Sequence, residues 1–147
     1  MTDPTPTSAA AGRLLLIPNS LDLGCIPDGE PAPDLREVLP MGALQAAASL
    51  SHWIAENAKS TRAFLKRVDA IVPLARPLQE HDIQVLPRPD KGRADRAPST
   101  DAERAAQALL APALAGHPVG LISEAGLPAV ADPGSAVVLA AHRLGIA

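Results

Sequence analysis

Aromatic side chains are almost missing from this sequence: they make up 1% of 147 residues, as one Trp, one Phe and no Tyr. The core must therefore be aliphatic, built from the Leu, Val, Ile and Ala that dominate a hydrophobic fraction of 47%. The same scarcity leaves few platforms on which bases of a single-stranded nucleic acid could stack. Cysteine is reduced to Cys25. No disulfide can form within the chain, which fits a reducing cytoplasm, and a lone thiol cannot build a zinc site. No histidine is near Cys25 in sequence, so it is read as a passive side chain. No apolar run is long enough to span a membrane. The opening MTDPTPTSAAAG has neither a cationic start nor an apolar stretch, so it is not a signal peptide, and a disordered tail is expected over residues 1–12. Charge is modest too, 20% of residues with a net value of -3. That describes an ordinary globular chain and supplies no basic field for generic nucleic-acid binding. The glycine fingerprints of a dinucleotide fold and of a P-loop are both missing. His52, His81, His117 and His142 are scattered without zincin spacing, so no metal site is expected.

What is present alternates. Arg13 to Pro18 (RLLLIP) is a short, continuous apolar run of the kind buried on both faces of a parallel sheet. A Pro-, Gly- and Asp-rich loop follows to Pro33. Asp34 to Leu39 can form a short helix, capped by Asp34 and stopped by Pro40. Gly42 to Ala48 is Ala-rich and suits a helical turn or two. Ser51 to Ala55 reads as a second strand. Ala58 to Val68 reads as a helix, with Ala63, Phe64 and Val68 on an apolar side and Lys59, Arg62, Lys66 and Arg67 on a basic one. Ile83 to Leu86 suits a strand, and the proline-rich, mixed-charge stretch Pro87 to Pro98 a solvated loop. Thr100 and Glu103 have capping-box spacing ahead of a helix with Ala105, Ala106, Leu109 and Leu110 on its apolar face and Gly116 as its stop. Val119 to Ile122 is a strand. Asp132 and Pro133 suit the cap and first position of a last helix ending near Leu144. Strands and helices in alternation predict an α/β fold with a largely parallel sheet and flanking helices. Gly145 to Ala147 look like the start of another strand, so the chain is expected to be truncated within a longer protein.

In open parallel sheets ligands bind beyond the carboxyl ends of strands. Two loops have that position: Pro18 to Gly24 (PNSLDLG) and Ser123 to Pro128 (SEAGLP). Their glycines let backbone approach a ligand closely, and free backbone N–H and C=O groups there could grip a small polar molecule. Read from pattern alone, they serve equally well as tight strand-to-helix turns.

The runs LLLIPNSLDLG (14–24), WIAENAKSTRAFL (53–65) and GLISEAGLPAVADPG (120–134) occur in the order seen in the tetrapyrrole-methylase superfamily, which the chain resembles from Arg13 to Ala147. Within it, the chain is most similar to the branch of the small-subunit ribosomal RNA 2′-O-ribose methyltransferase. The resemblance implies that residues 13–147 are the N-terminal, cofactor-binding domain of a two-domain methyltransferase. S-adenosylmethionine would lie in the cleft between the domains, and this domain alone would be inactive. Matched position by position, Pro18, Asn19, Leu23 and Gly24 fall at the cleft. Ser123, Glu124, Ala125, Gly126 and Pro128 match the loop that contacts S-adenosylmethionine. Glu56 and Arg62 match substrate-side positions, with Lys59 beside them, and Glu56 is the candidate catalytic base. Asp132, Pro133 and Gly134 match a turn that starts a helix. The chain departs from the family pattern at Glu124, where Asp is usual, at Ser20–Asp22, and at Asn57–Lys59. These departures weaken the expectation of ribosomal RNA as substrate and suggest a paralogue with another acceptor. The rRNA ribose 2′-hydroxyl and a small, tetrapyrrole-like molecule both stay open as acceptors, as does a non-catalytic cofactor-binding or interaction module. The family also leads one to expect a homodimer.

Overall fold

The computed structural model describes residues 12–21, 29–31, 33–87, 100–129 and 134–147. They form a parallel four-stranded sheet in the order β1-β4-β2-β3, with β1 at Leu14–Ile17, β2 at His52–Ala55, β3 at Asp82–Val85 and β4 at Val119–Ile122. The helices are α1 (Met41–Ser49), α2 (Ala58–Asp69), α3 (Thr100–Leu109), α4 (Ala111–Leu114) and α5 (Gly134–Arg143). The expected α/β architecture is therefore the one observed.

Sheet order dictates which face each helix covers. The chain moves in one direction from β1 to β2 to β3, then reverses to insert β4 between β1 and β2. Because parallel crossovers are right-handed, a reversal of direction sends the connecting helix to the opposite face. Accordingly α1 and α2 pack together over Ile17, Trp53, Ala55 and Ile122. Helices α3, α4 and α5 pack over Ile54, Val119 and Leu121 on the other side. All four residues of β4 are buried, as its central place requires. The two aromatic residues are not spread through the core. Trp53 and Phe64 both lie in the α1/α2 layer, and Trp53 Nε1–H donates to His81 Nδ1 at 3.2 Å. The other ring nitrogen of His81 lies 3.1 Å from the Arg76 carbonyl. His81 is thus a satisfied core residue.

Several local expectations need correction. The helix expected over Asp34–Leu39 is a single 3-10 turn at Leu35–Glu37; Asp34 does cap it, accepting from Arg36 N–H. In α2 the buried side chains are Thr61, Phe64, Leu65 and Val68, whereas Ala63 is exposed. Thr61 can turn inward because its hydroxyl donates to the Asn57 carbonyl at 2.7 Å. The helix expected to run from Thr100 to Gly116 breaks at Leu110, before Pro112 near the start of α4. Gly116 adopts φ 97 at the turn into β4, a conformation suited to glycine. Glu103 forms an ion pair with Arg143 of α5. The Thr100 side chain, Cys25, the tail over 1–11, the loop from Arg88 to Pro98, and Asp132 and Pro133 lie outside the described residues. Ala147 C=O accepts from Leu14 N–H at 2.8 Å, so this backbone lies beside β1. Among the described residues no helix is long and apolar enough to cross a membrane.

Candidate functional site

The reversal of strand order creates the place where loops diverge. The connection after β1 leads to the α1 face and the one after β4 leads to α5 on the opposite face, the switch of direction beside which ligands bind in open parallel sheets. The connection after β2 returns to the α1/α2 face. The loop that follows Ile122 lies between the other two.

Asn19 is the hub of this region. Its N–H donates to Gly126 C=O at 2.9 Å and its C=O accepts from Gly126 N–H at 3.2 Å, forming an isolated antiparallel bridge. Its side-chain Nδ2 donates to the carbonyls of Ser123 at 3.1 Å and Glu124 at 3.3 Å. Its Oδ1 accepts from Ser20 N–H at 2.8 Å. One asparagine therefore uses its backbone donor and acceptor and its side-chain donor to fasten the β1 loop to the β4 loop, while its side-chain acceptor braces its own loop at Ser20.

The β4 loop is shaped from within as well. Ser123 is buried, and its hydroxyl donates to Ala125 C=O at 2.9 Å. Gly126 sits at φ 68, and a Cβ there would come within 3.3 Å of Leu21 Cδ2. Ala129 also has a positive φ, 66, which costs an L-residue roughly 1–2 kcal/mol. Pro128 is buried, and Leu127 and Leu21 are both exposed.

The third strand end brings in Glu56. Its Oε2 accepts from the backbone N–H of Glu124 at 3.2 Å. The next residue, Asn57, caps α2 through its side chain, which accepts from Ser60 N–H at 3.0 Å. The cap fixes where α2 begins and hence where Glu56 stands relative to β4.

The structure thus gathers Pro18, Asn19, Glu56, Ser123, Glu124, Ala125, Gly126 and Pro128 at one end of the sheet. Leu23 and Gly24 lie outside the described residues. Lys59 and Arg62 follow in the first turns of α2 with exposed side chains. Two expectations change. The backbone N–H groups of Asn19, Glu124 and Gly126 are not free, since each donates within the protein. Arg67 does not belong to the exposed basic face: it is half-buried, donating to Pro33 C=O at 2.8 Å and reaching Ser20 Oγ at 3.5 Å. Lys59, Arg62 and Lys66 remain as the exposed cations of that face. The Arg67 contacts span 34 and 47 positions, and no local pattern in the sequence signals them.

At the opposite end of the sheet His52 and His117 face each other with ring centroids 4.7 Å apart. His52 Nδ1 is buried without a hydrogen bond, 3.7 Å from Asp82 Oδ2. Among the described residues no three His, Cys, Asp or Glu side chains are grouped to hold a metal ion. Compared with protein families and curated proteins, the chain matches no family model and no curated sequence.

Proposed function

We propose that the loops following β1, β2 and β4 form one wall of a site for S-adenosylmethionine, and that the protein is a methyltransferase. The observation that carries this reading is the convergence of Asn19, Glu56 and Ser123–Gly126 at the carboxyl ends of three adjacent parallel strands. Two of these three groups lie in the sequence runs that resemble the donor-binding loops of tetrapyrrole methylases, and the third in the run between them.

The chemistry asks little of the protein. The sulfonium of the donor already activates its methyl group. An acceptor lone pair attacks the methyl carbon as the carbon–sulfur bond breaks, so alignment is the main requirement. A hydroxyl acceptor must also lose a proton. Glu56 suits that task geometrically: Oε2 is fixed by Glu124 N–H, and Oε1 takes no hydrogen bond from the described residues. The exposed Lys59 and Arg62 lie along α2 from Glu56 and favour an anionic acceptor. Both RNA, through the phosphates that flank a ribose hydroxyl, and a carboxylated, tetrapyrrole-like ring have that character.

The test is calorimetric titration of S-adenosylhomocysteine. Micromolar affinity is expected when the domain is accompanied by the second domain that the resemblance implies, with weaker binding by residues 1–147 alone. Binding to neither overturns the reading. One observation favours a second reading, an interaction module without turnover. The N–H groups of Asn19, Glu124 and Gly126 are all engaged internally, which leaves these three amides unavailable to a ligand unless the loops part. Donor binding without methyl transfer to RNA or tetrapyrrole acceptors would support it.

A further inference from the structure

We propose that Arg67 is a positioning residue for the donor site, a role that rests on the methyltransferase reading above. Arg67 sits in the last turn of α2, at the end of the helix away from Glu56 and far in sequence from Asn19 and the β4 loop. Its guanidinium nevertheless ends between two segments of the connection that leaves β1. Nη2 donates to the carbonyl of Pro33 at 2.8 Å, and Nη1 reaches Ser20 Oγ at 3.5 Å.

Each contact has a structural consequence. Pro33 precedes Asp34, which caps the 3-10 turn that buries Leu35 at 1% exposure. Holding the Pro33 carbonyl therefore fixes where the connection re-enters the α1/α2 core. Ser20 is 7% exposed and its N–H is bound by Asn19 Oδ1. Holding Ser20 consequently fixes Asn19, and Asn19 in turn holds Ser123, Glu124 and Gly126. The same helix begins immediately after Glu56, which holds Glu124 from the other side. Helix α2 thus fastens the site from both of its ends, through Glu56 at the start and Arg67 in the last turn. The β4 loop is held between them.

Arginine is suited to this task because its planar group offers several donors in fixed directions, so one side chain can serve two acceptors on different segments. A lysine has one ammonium and cannot reproduce both directions. Its aliphatic stem can still cover the same apolar surface.

The experiment compares Arg67→Met, Arg67→Lys and Ser20→Ala with the unmodified protein, with Arg104→Gln on α3 as a control for loss of an exposed charge. Two readouts are taken on each: amide hydrogen exchange at Asn19, Gly126 and Leu121, and the dissociation constant for S-adenosylhomocysteine. In Arg67→Met the Asn19 and Gly126 amides are expected to exchange about tenfold faster relative to Leu121 of the sheet. The dissociation constant is expected to rise about fivefold to tenfold. Arg67→Lys and Ser20→Ala should show part of both effects, and Arg104→Gln neither. A merely structural role for Arg67 would speed exchange at Leu121 as much as at Asn19, and that result overturns the proposal. Unchanged exchange at Asn19 and Gly126 overturns it as well, as does faster exchange with unchanged affinity. Should Arg67→Met fail to fold, Ser20→Ala carries the same comparison. Affinity is measured with the second domain present, and absence of binding by the unmodified protein in that form instead defeats the donor reading. The exchange data then still decide whether Arg67 holds the two loops.

Discussion

The carboxylate of Glu56, at the end of β2, accepts a hydrogen bond from the backbone N–H of Glu124, which follows β4. This contact joins two neighbouring strand ends 68 positions apart in sequence. It gives Glu56 two separable properties, an acceptor oxygen for the loop and a negative charge for chemistry. Glu56→Gln keeps an oxygen for Glu124 N–H and loses the charge. Glu56→Ala loses both. The expected pattern is that Glu56→Gln binds S-adenosylhomocysteine within about twofold of the unmodified protein but loses roughly 10²–10⁴ in turnover. Glu56→Ala should weaken binding as well. Full turnover in Glu56→Gln would remove Glu56 from the chemistry.

Asn19 makes a prediction whose sign runs against size. Its Nδ2 donates to two carbonyl oxygens, Ser123 O and Glu124 O. Asn19→Asp keeps the shape but points a carboxylate oxygen at those acceptors, so attraction becomes repulsion. Asn19→Ala merely removes the donor. The isosteric change should therefore destabilise the protein more than the truncation, at neutral pH and by about 1–3 kcal/mol relative to wild type. Urea unfolding of both variants measures this. Equal midpoints would show that the Nδ2 contacts contribute little.

Elements with a strong local signal were legible in the sequence. Val119–Ile122 is a continuous apolar run between Pro118 and Ser123, and it forms the buried central strand with those bounds. Strand β3 was read one residue late because it lies at the sheet edge, where half its side chains face solvent. The inward side of α2 was misread at Ala63 because alanine suits either face, while Thr61 is accepted inside by bonding to Asn57 C=O. The candidate site was legible as two loops and a carboxylate. The pairings that tie them together were not. Asn19 to Ser123 and Glu56 to Glu124 depend on strand order, and nothing in one linear pattern states that β4 lies between β1 and β2. Arg67 to Pro33 depends on α2 packing beside the connection that leaves β1. The assignment of Arg67 to the basic face failed because its partners, Pro33 and Ser20, are 34 and 47 positions away.

Asp34 gives the pH prediction. The Arg36 side chain, hydrogen-bonded to the Asp34 carboxylate, holds its pKa at about 2, below an ordinary value of 3.8, and Arg36 N–H adds to the effect. A depressed carboxyl pKa favours the folded state above the unfolded value, and the contribution disappears as pH falls from near 3.8 through about 2. A carboxyl-carbon NMR titration should place the Asp34 midpoint near 2. Arg36→Ala should move it upward, toward the ordinary value. A midpoint unaffected by Arg36→Ala would show that the pair is not formed in solution.

Gly120 tests the packing under the site. It is the second residue of β4, where a Cβ would lie 2.7 Å from Cε3 and Cζ3 of Trp53 and 2.9 Å from Leu50 Cδ1. Those distances are too short for carbon atoms, and Trp53 cannot simply swing away. It is 1% exposed, and its Nε1–H is held by His81. Moving the indole would break that bond and leave a buried donor unpaired, at a cost of about 1–3 kcal/mol. Keeping the indole in place would force strain on the order of 1–3 kcal/mol from overpacking. Gly120→Ala should therefore lower stability by about 1–3 kcal/mol by either route, measured as a reduced urea midpoint at unchanged slope. Trp53 fluorescence distinguishes the routes, since a displaced indole shifts its emission and a strained one does not. A second change, Trp53→Leu in the Gly120→Ala background, should recover part of the loss if the clash with the ring is its cause. No recovery would place the cost at Leu50 instead.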